Sequence, residues 1–269
     1  MSNPSDQILK QDILKDIFSW EIPVDNIPLP SQGKIYNPNS KLYNAETVAI
    51  KAMTAKEEDI LSSRSLIKDG KVIDELIKSC LIDKSIDVDE LIAGDKNALM
   101  VSIRITGYGS AYNITANCTD CDYSNKLTVD LSSLEIKTLE IEPVRPGENL
   151  FKYKLPVSKK EVLFKFLTGK NQKEIQAQET FQYGFSKEIT KNVTNFLFSS
   201  IEAIDNVTDK NKIKKFVDNM PAYDSKSLRT HINKNEPNIL MQHNFNCQKC
   251  NADNSASLPM TINFFWPAF

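Results

Sequence analysis

The chain has 269 residues, of which 41% are hydrophobic, with 33 Lys and Arg against 35 Asp and Glu. That size and apolar content suit a globular protein whose core needs no disulfide staples, and the near-balance of charge argues against a dedicated nucleic-acid binder. There is no apolar run of the roughly 18 residues that a membrane span needs, the first residues lack the basic and apolar regions of a secretory signal, and eight glycines are too few and too scattered for a phosphate-cradling loop, so a soluble protein kept in a reducing cytoplasm is expected.

Residues 6–19 set Ile8, Leu9, Ile13, Leu14, Ile17 and Phe18 among lysines and aspartates, the pattern of a short amphipathic helix. Pro23, Pro28 and Pro30 follow and enforce an extended path. Residues 1–30 therefore read as an arm and linker, which either docks on a partner or packs back on its own domain. Thr47–Met53 is strand-like. Thr54 and Glu57 make a capping box, predicting a helix to about Lys68, stopped by Asp69-Gly70. A second helix is expected from about 71 to 82, with Cys80 a buried thiol in its apolar stripe. Asp95 is a plausible N-cap for a third, although Val101–Ile105 also fits a strand. Residues 31–110 thus form a mainly helical domain.

Four of the five cysteines fall into two C-x-x-C pairs, Cys118/Cys121 and Cys247/Cys250. Residues 112–117 and 125–131 flank the first pair with strand-like alternation, and residues 239–245 and 257–262 flank the second. A C-x-x-C turn points two thiolates at one ion, and two such turns complete a tetrahedral four-sulfur Zn2+ site. A closed shell of four cysteines makes the metal structural, because catalytic zinc keeps a position open. Disulfides and a thioredoxin-like redox pair are the competing readings. The first conflicts with the absence of an export signal, the second with the lack of a helical pattern after either pair. The fold expected is α+β: a split zinc ribbon over 111–157 and 236–269, interrupted by a helical insertion over 158–235. Within the insertion, helices are expected at 172–183 and 187–204, after Thr208-Asp209, and after an Asp224 cap. Val162–Leu167 is strand-like.

No catalytic constellation emerges, and the protein reads as a non-enzyme. There are two histidines; His231 and His243 read as surface or hydrogen-bonding residues. Arg64, Arg104 and Arg229 read as either buried ion-pair anchors or solvated charges. The chain end Phe264-Phe265-Trp266-Pro267-Ala268-Phe269 is a large apolar load, expected to dock on the chain's own core or in a neighbouring subunit.

An ordered set of motifs carries a resemblance. It runs Leu29-Pro30-Ser31-x-Gly33-x-Ile35-Tyr36, then Met53-Thr54-Ala55-x-Glu57-Glu58-Asp59-Ile60-Leu61-x-Ser63-Arg64, then Gly94–Leu99. Arg104-Ile105-x-x-Tyr108-Gly109, the paired knuckles and Phe264–Pro267 complete it. This set resembles the T4-type bacteriophage baseplate proteins, hub-associated subunits of contractile-tailed phages, over roughly 28 to 267. The resemblance implies a structural or assembly role in the tail baseplate hub, in the host cytoplasm during assembly and in the virion tail afterwards. The partners it implies are other baseplate or hub subunits, and the N-terminal helix and aromatic tail are by their own residue patterns the expected contact segments; neither a membrane nor nucleic acid is expected as a partner. The alternatives are a transient chaperone-like assembly factor that leaves before the virion is complete, and a zinc-ribbon nucleic-acid binder. Zinc is implied by the cysteines of this sequence and not by the resemblance.

Overall fold

Pro23, Pro28 and Pro30 hold the entry to the fold extended, and Val24–Pro28 forms strand β1. It pairs antiparallel with β2, Thr47–Lys51, in a register running from Val24↔Lys51 to Pro28↔Thr47. The computed structural model describes residues 22–175, 192–260 and 262–266. The helix expected over 6–19 lies outside the described residues, as does most of the one expected over 172–183, of which the described part, to residue 175, is helical.

The capping box forms as its sequence predicts and opens α1, Ala55–Ser62. Glu57 does more than cap. Its buried carboxylate accepts from Thr54 N (3.0 Å) and Thr54 Oγ1 (2.6 Å), from Lys51 Nζ on β2 (2.6 Å) and from Ser79 Oγ (2.6 Å). Burial alone raises its pKa, but these donors outweigh it and hold the group at about 2. The helix does not run on to Lys68. Ser63 is extended, and a separate short helix α2 spans Arg64–Lys68. Ser62 Oγ turns back onto Glu58 O (3.0 Å) and Asp59 O (3.2 Å), the competition with the helix ladder that serines offer. After Gly70, α3 covers Val72–Cys80. Cys80 is fully buried in it, and burial, then the nearby Glu57, push its thiol up to about 12.

Helix α4, Ala93–Tyr108, decides the ambiguous stretch in favour of helix. Ala98, Leu99, Met100, Val101 and Ile103 are all buried, so the helix is enclosed on most of its faces. Asp95 does not cap it. The cap position is Ile92, and Asp95, the third helical residue, accepts instead from Ser31 N (2.9 Å), Ser31 Oγ (2.5 Å) and Tyr36 OH (2.6 Å). The Tyr36 hydroxyl in turn accepts from Ile92 N (3.1 Å). Burial pushes the Asp95 carboxyl up, and its three donors only partly offset this. The loop 29–36 is thus fastened to the first turn of α4 through one buried carboxylate. Gly33 makes its turn possible: its φ is +69°, and a Cβ there would lie 2.3 Å from Ala45 N. Gly94 is required for a different reason, since a Cβ would lie 1.8 Å from Pro237 O.

Two hairpins follow the expected pattern: β3 (Ala111–Asn117) with β4 (Ser124–Asp130), and, far along the chain, β10 (Gln242–Asn246) with β11 (Asp253–Ser257). The second hairpin returns at 253–257 and not at 257–262, because its turn closes directly after Cys250. A short β5, Ile136–Lys137, pairs with β9, Asn238–Ile239, which runs past α4.

Among the described residues, the stretch 158–235 is less helical than expected. Phe151–Lys154 (β6), Glu161–Phe164 (β7) and Ile201–Ile204 (β8) form a three-stranded antiparallel sheet with a shift between Leu163 and Phe164. The predicted helix over 187–204 is therefore cut: within the described residues, α5 is Asn192–Ser200 and residues 201–204 join β7. Ile201, Ala203 and Ile204 are buried there; their spacing fits a helix face, but the open edge of β7 supplies a partner that periodicity cannot see. Asp209 caps α6, Lys210–Asp218, by accepting from Asn211 N (2.8 Å) and Lys212 N (3.1 Å). Asp224 does not cap α7, Ala222–Asn235, whose cap position is Pro221. It is buried at the third helical position and accepts from Val157 N (2.7 Å) and Ser158 N (2.9 Å). Burial raises its pKa, and the two main-chain donors bring it below the usual value.

The described part of the aromatic segment packs on the protein's own core. In the turn Ile262–Phe265, Phe264 and Phe265 are fully buried, Phe264 lying edge-on to Tyr112 at 5.1 Å. Arg104 secures this arrangement. It is 1% exposed and donates to Phe264 O (3.0 Å), Gly109 O (2.7 Å) and Ala111 O (3.2 Å). It is neither a solvated charge nor an anchor for a carboxylate: its acceptors are main-chain carbonyls. Phe269 lies outside the described residues.

Two outcomes are expected. Gly94→Ala sets a Cβ against the backbone of Pro237 and should cost at least about 3 kcal/mol in urea unfolding. Glu57→Gln should destabilise the protein at pH 7, and the two unfolding curves should converge as pH falls from 4.5 towards 2. A carboxyl with a depressed folded pKa stabilises above its unfolded value and loses that contribution as it protonates in the fold.

Candidate metal centre

The strands β3–β4 and β10–β11 each end in a turn that carries one C-x-x-C. In the first, Cys118 N donates to Tyr123 O (2.9 Å) and Asp122 N to Cys118 O (3.1 Å). In the second, Cys247 N donates to Ala252 O (2.9 Å) and Asn251 N to Cys247 O (2.9 Å). Asp122 and Asn251, each just after the second cysteine, sit at φ 53° and 57°, the left-handed conformation that Asp and Asn tolerate best among residues with a side chain. The two knuckles are therefore the same turn built twice.

They meet tip to tip. The four Sγ atoms all lie within 4.8 Å of one another, with Cys118–Cys250 at 3.6 Å and Cys121–Cys247 at 3.7 Å. A tetrahedral ion with Zn–S near 2.3 Å spaces its sulfurs about 3.8 Å apart, so the donor set fits such an ion. Cys118 and Cys247 are buried, Cys121 is half-buried and Cys250 is exposed.

Main-chain N–H groups converge on the inner sulfurs: Asp120 N on Cys118 (3.4 Å) and Lys249 N on Cys247 (3.4 Å). Burial works against ionising Cys247, but the Cys250 and Lys249 N–H groups prevail and bring its thiol to about 6. Burial likewise opposes ionisation of Cys118, and its donors likewise lower it. The Ala252 N–H favours the Cys250 thiolate, yet the neighbouring sulfurs of Cys121, Cys118 and Cys247 push it up to about 12. Sulfurs this close resist carrying four negative charges together unless a cation lies among them.

Two asparagines brace the site, and sequence reasoning missed both. Asn254 Oδ1 accepts from Thr119 N (2.9 Å), and its Nδ2 approaches Cys118 Sγ (3.4 Å). Asn125 Oδ1 accepts from Gln248 N (2.9 Å), and its Nδ2 lies 3.8 Å from Cys247 Sγ. Each asparagine serves the opposite hairpin. The signal was present in the sequence: both stand seven positions after the first cysteine of their own pair.

The other candidate residues lie apart from this cluster. His243 sits in β10 opposite Ala256 and is not in the metal-competent group of described residues, which comprises the four cysteines. His231 stacks on Tyr153 at 4.3 Å and meets Phe164 edge-on at 5.6 Å; burial, then Lys234, lower its pKa. Arg64 is exposed and Arg229 half-buried.

A family model described as T4 bacteriophage base plate protein matches residues 26–266. No curated protein and no solved structure gives a significant match.

Proposed function

The chain belongs to the T4 bacteriophage base plate protein family, and from that premise we propose that it is a non-enzymatic structural subunit of the baseplate hub, its fold closed by one Zn2+ held by Cys118, Cys121, Cys247 and Cys250. The observation that carries the metal reading is the convergence of four sulfurs within 4.8 Å from segments separated by the 125 residues of positions 122 to 246. Four thiolates leave no open position for a substrate, so the ion holds structure, as in a zinc ribbon. The family implies contact with other baseplate components. Assembly in the host cytoplasm, followed by retention in the virion tail, completes the proposal.

The use of polar groups supports a role in contacts rather than catalysis. Asp95, Asp224 and Arg104 are buried and engaged with the main chain of distant segments. The near-neutral total also hides a segregation of charge. Residues 150–235 hold sixteen Lys and Arg against nine Asp and Glu, and the rest of the chain seventeen against twenty-six. Helix α6 exposes Lys212, Lys214 and Lys215, a surface suited to an acidic neighbour. The loops around the knuckles expose Asp120, Asp122 and Asp253 beside Lys126 and Lys249, which is no platform for a nucleic-acid backbone.

Purified protein should contain one zinc per chain by elemental analysis, and chelation should lower its melting temperature. Cys118→Ser should melt lower than wild type and respond little to chelator; a metal-free protein indifferent to chelator sinks the zinc reading. Mass spectrometry of purified tails should find the chain in fixed ratio to other baseplate subunits, whereas its absence would identify a transient assembly factor. Replacing Lys212, Lys214 and Lys215 together by Glu should leave a folded chain with reduced incorporation into tails, since charge steering sets encounter with an acidic neighbour.

A further inference from the structure

We propose that Asn125 and Asn254 are positioning residues that grip each other's hairpins and make Cys118 and Cys247 the fixed zinc ligands, leaving Cys121 and Cys250 as the pair through which the ion enters and leaves. The inference rests on the zinc reading above and adds an order to the site. It starts from how completely the two amides are used. Asn254 Oδ1 accepts from both Thr119 N (2.9 Å) and Thr119 Oγ1 (3.0 Å), while its Nδ2 donates to Ala252 O (2.8 Å) and Cys118 Sγ (3.4 Å). Asn125 Oδ1 accepts from Gln248 N (2.9 Å), while its Nδ2 donates to Tyr123 O (3.0 Å) and lies 3.8 Å from Cys247 Sγ. In each case the oxygen faces a main-chain N–H, which cannot accept, so the amide orientation is fixed and the NH2 must point at sulfur.

The arrangement is reciprocal. Each side chain holds its own turn through a carbonyl and the opposite turn through an N–H and a sulfur. Neither hairpin therefore presents a finished half-site alone; the second hairpin supplies the donor that orients the first one's inner thiolate. Donors to a thiolate disperse its charge and fix its lone pairs, and partners of this kind tune a metal site as strongly as some ligands do.

The four cysteines thereby divide. All four sulfurs face main-chain N–H groups, but Cys118 and Cys247 are 1% and 2% exposed and each also faces an asparagine NH2. Cys121 is half-buried and Cys250 exposed, and both asparagine NH2 groups are directed at the other two sulfurs. An incoming chelator reaches the ion from the Cys121 and Cys250 side. The shorter contact and the extra Thr119 hydroxyl make the Asn254 grip the firmer of the two.

The experiment uses the full zinc-loaded chain and follows zinc transfer to the chelator 4-(2-pyridylazo)resorcinol, with iodoacetamide labelling of the cysteines mapped by mass spectrometry. Asn254→Asp keeps the oxygen that holds Thr119 N but removes the donor to both Cys118 Sγ and Ala252 O, so the variant's melting temperature is read beside zinc release to separate ligand positioning from turn stability. It should release zinc about ten-fold faster than wild type, with a smaller gain for Asn125→Asp. In wild type, Cys121 and Cys250 should label before Cys118 and Cys247; in Asn254→Asp, Cys118 should join the early group. A folded, zinc-loaded Asn254→Asp that releases metal at the wild-type rate overturns the proposal, as does equal labelling of all four cysteines in wild type. A wild-type chain that binds no zinc overturns the metal reading instead, so the two failures are distinguishable.

Discussion

Two hairpin tips that lie far apart in the sequence touch, and 125 of the 269 residues run between them. That contact converts the stretch from 122 to 246 into a closed loop. Closing a loop of this length costs the folding chain conformational freedom on the order of 4 to 5 kcal/mol, which the contacts at the tips must offset. The strands on either side of each tip are small and largely polar on their outer faces. Two-stranded ladders are marginal by themselves; the tips are shared, and the first hairpin is tied down by Phe264 against Tyr112 and by Arg104 donating to Ala111 O.

The same principle recurs wherever a buried polar group appears. Asp95 and Asp224 occupy equivalent places, the third residue of a helix, and both turn away from their own helix to satisfy main-chain N–H groups of a remote loop. A carboxylate in a first helical turn is favoured by the helix dipole, while its burial works against the charge in both cases. Arg104 is the converse case, a cation spread over carbonyls from the end of α4, the start of β3 and the chain terminus. Tyr108 donates to Glu58 and thereby joins α4 to α1.

These contacts join residues of the short motifs that carry the resemblance. Ser31 and Tyr36 bond to Asp95; Glu58 pairs with Tyr108; Arg104 with the main chain at Phe264. Short motifs that look weak separately are halves of contacts, so their joint presence in order carries more information than their individual letters.

Local chemistry let the sequence determine a good deal. The capping box at Thr54 and Glu57, the Asp209 cap, the two cysteine hairpins and the buried place of Cys80 all depend on neighbours a few positions away, or on a period that the residues themselves display. What the sequence left open depended on partners it could not name. Asp95 and Asp224 read as caps because nothing local reveals a remote loop in need of an acceptor. Residues 201–204 read as helix because an isoleucine spacing that suits a helix face also suits a strand, and only the free edge of β7 chose between them. Asn125 and Asn254 looked like two among many asparagines until folding set each against the other hairpin's sulfur. A buried hydrogen bond between distant segments is specified by both ends at once, and the tertiary structure is where the two ends are first brought together.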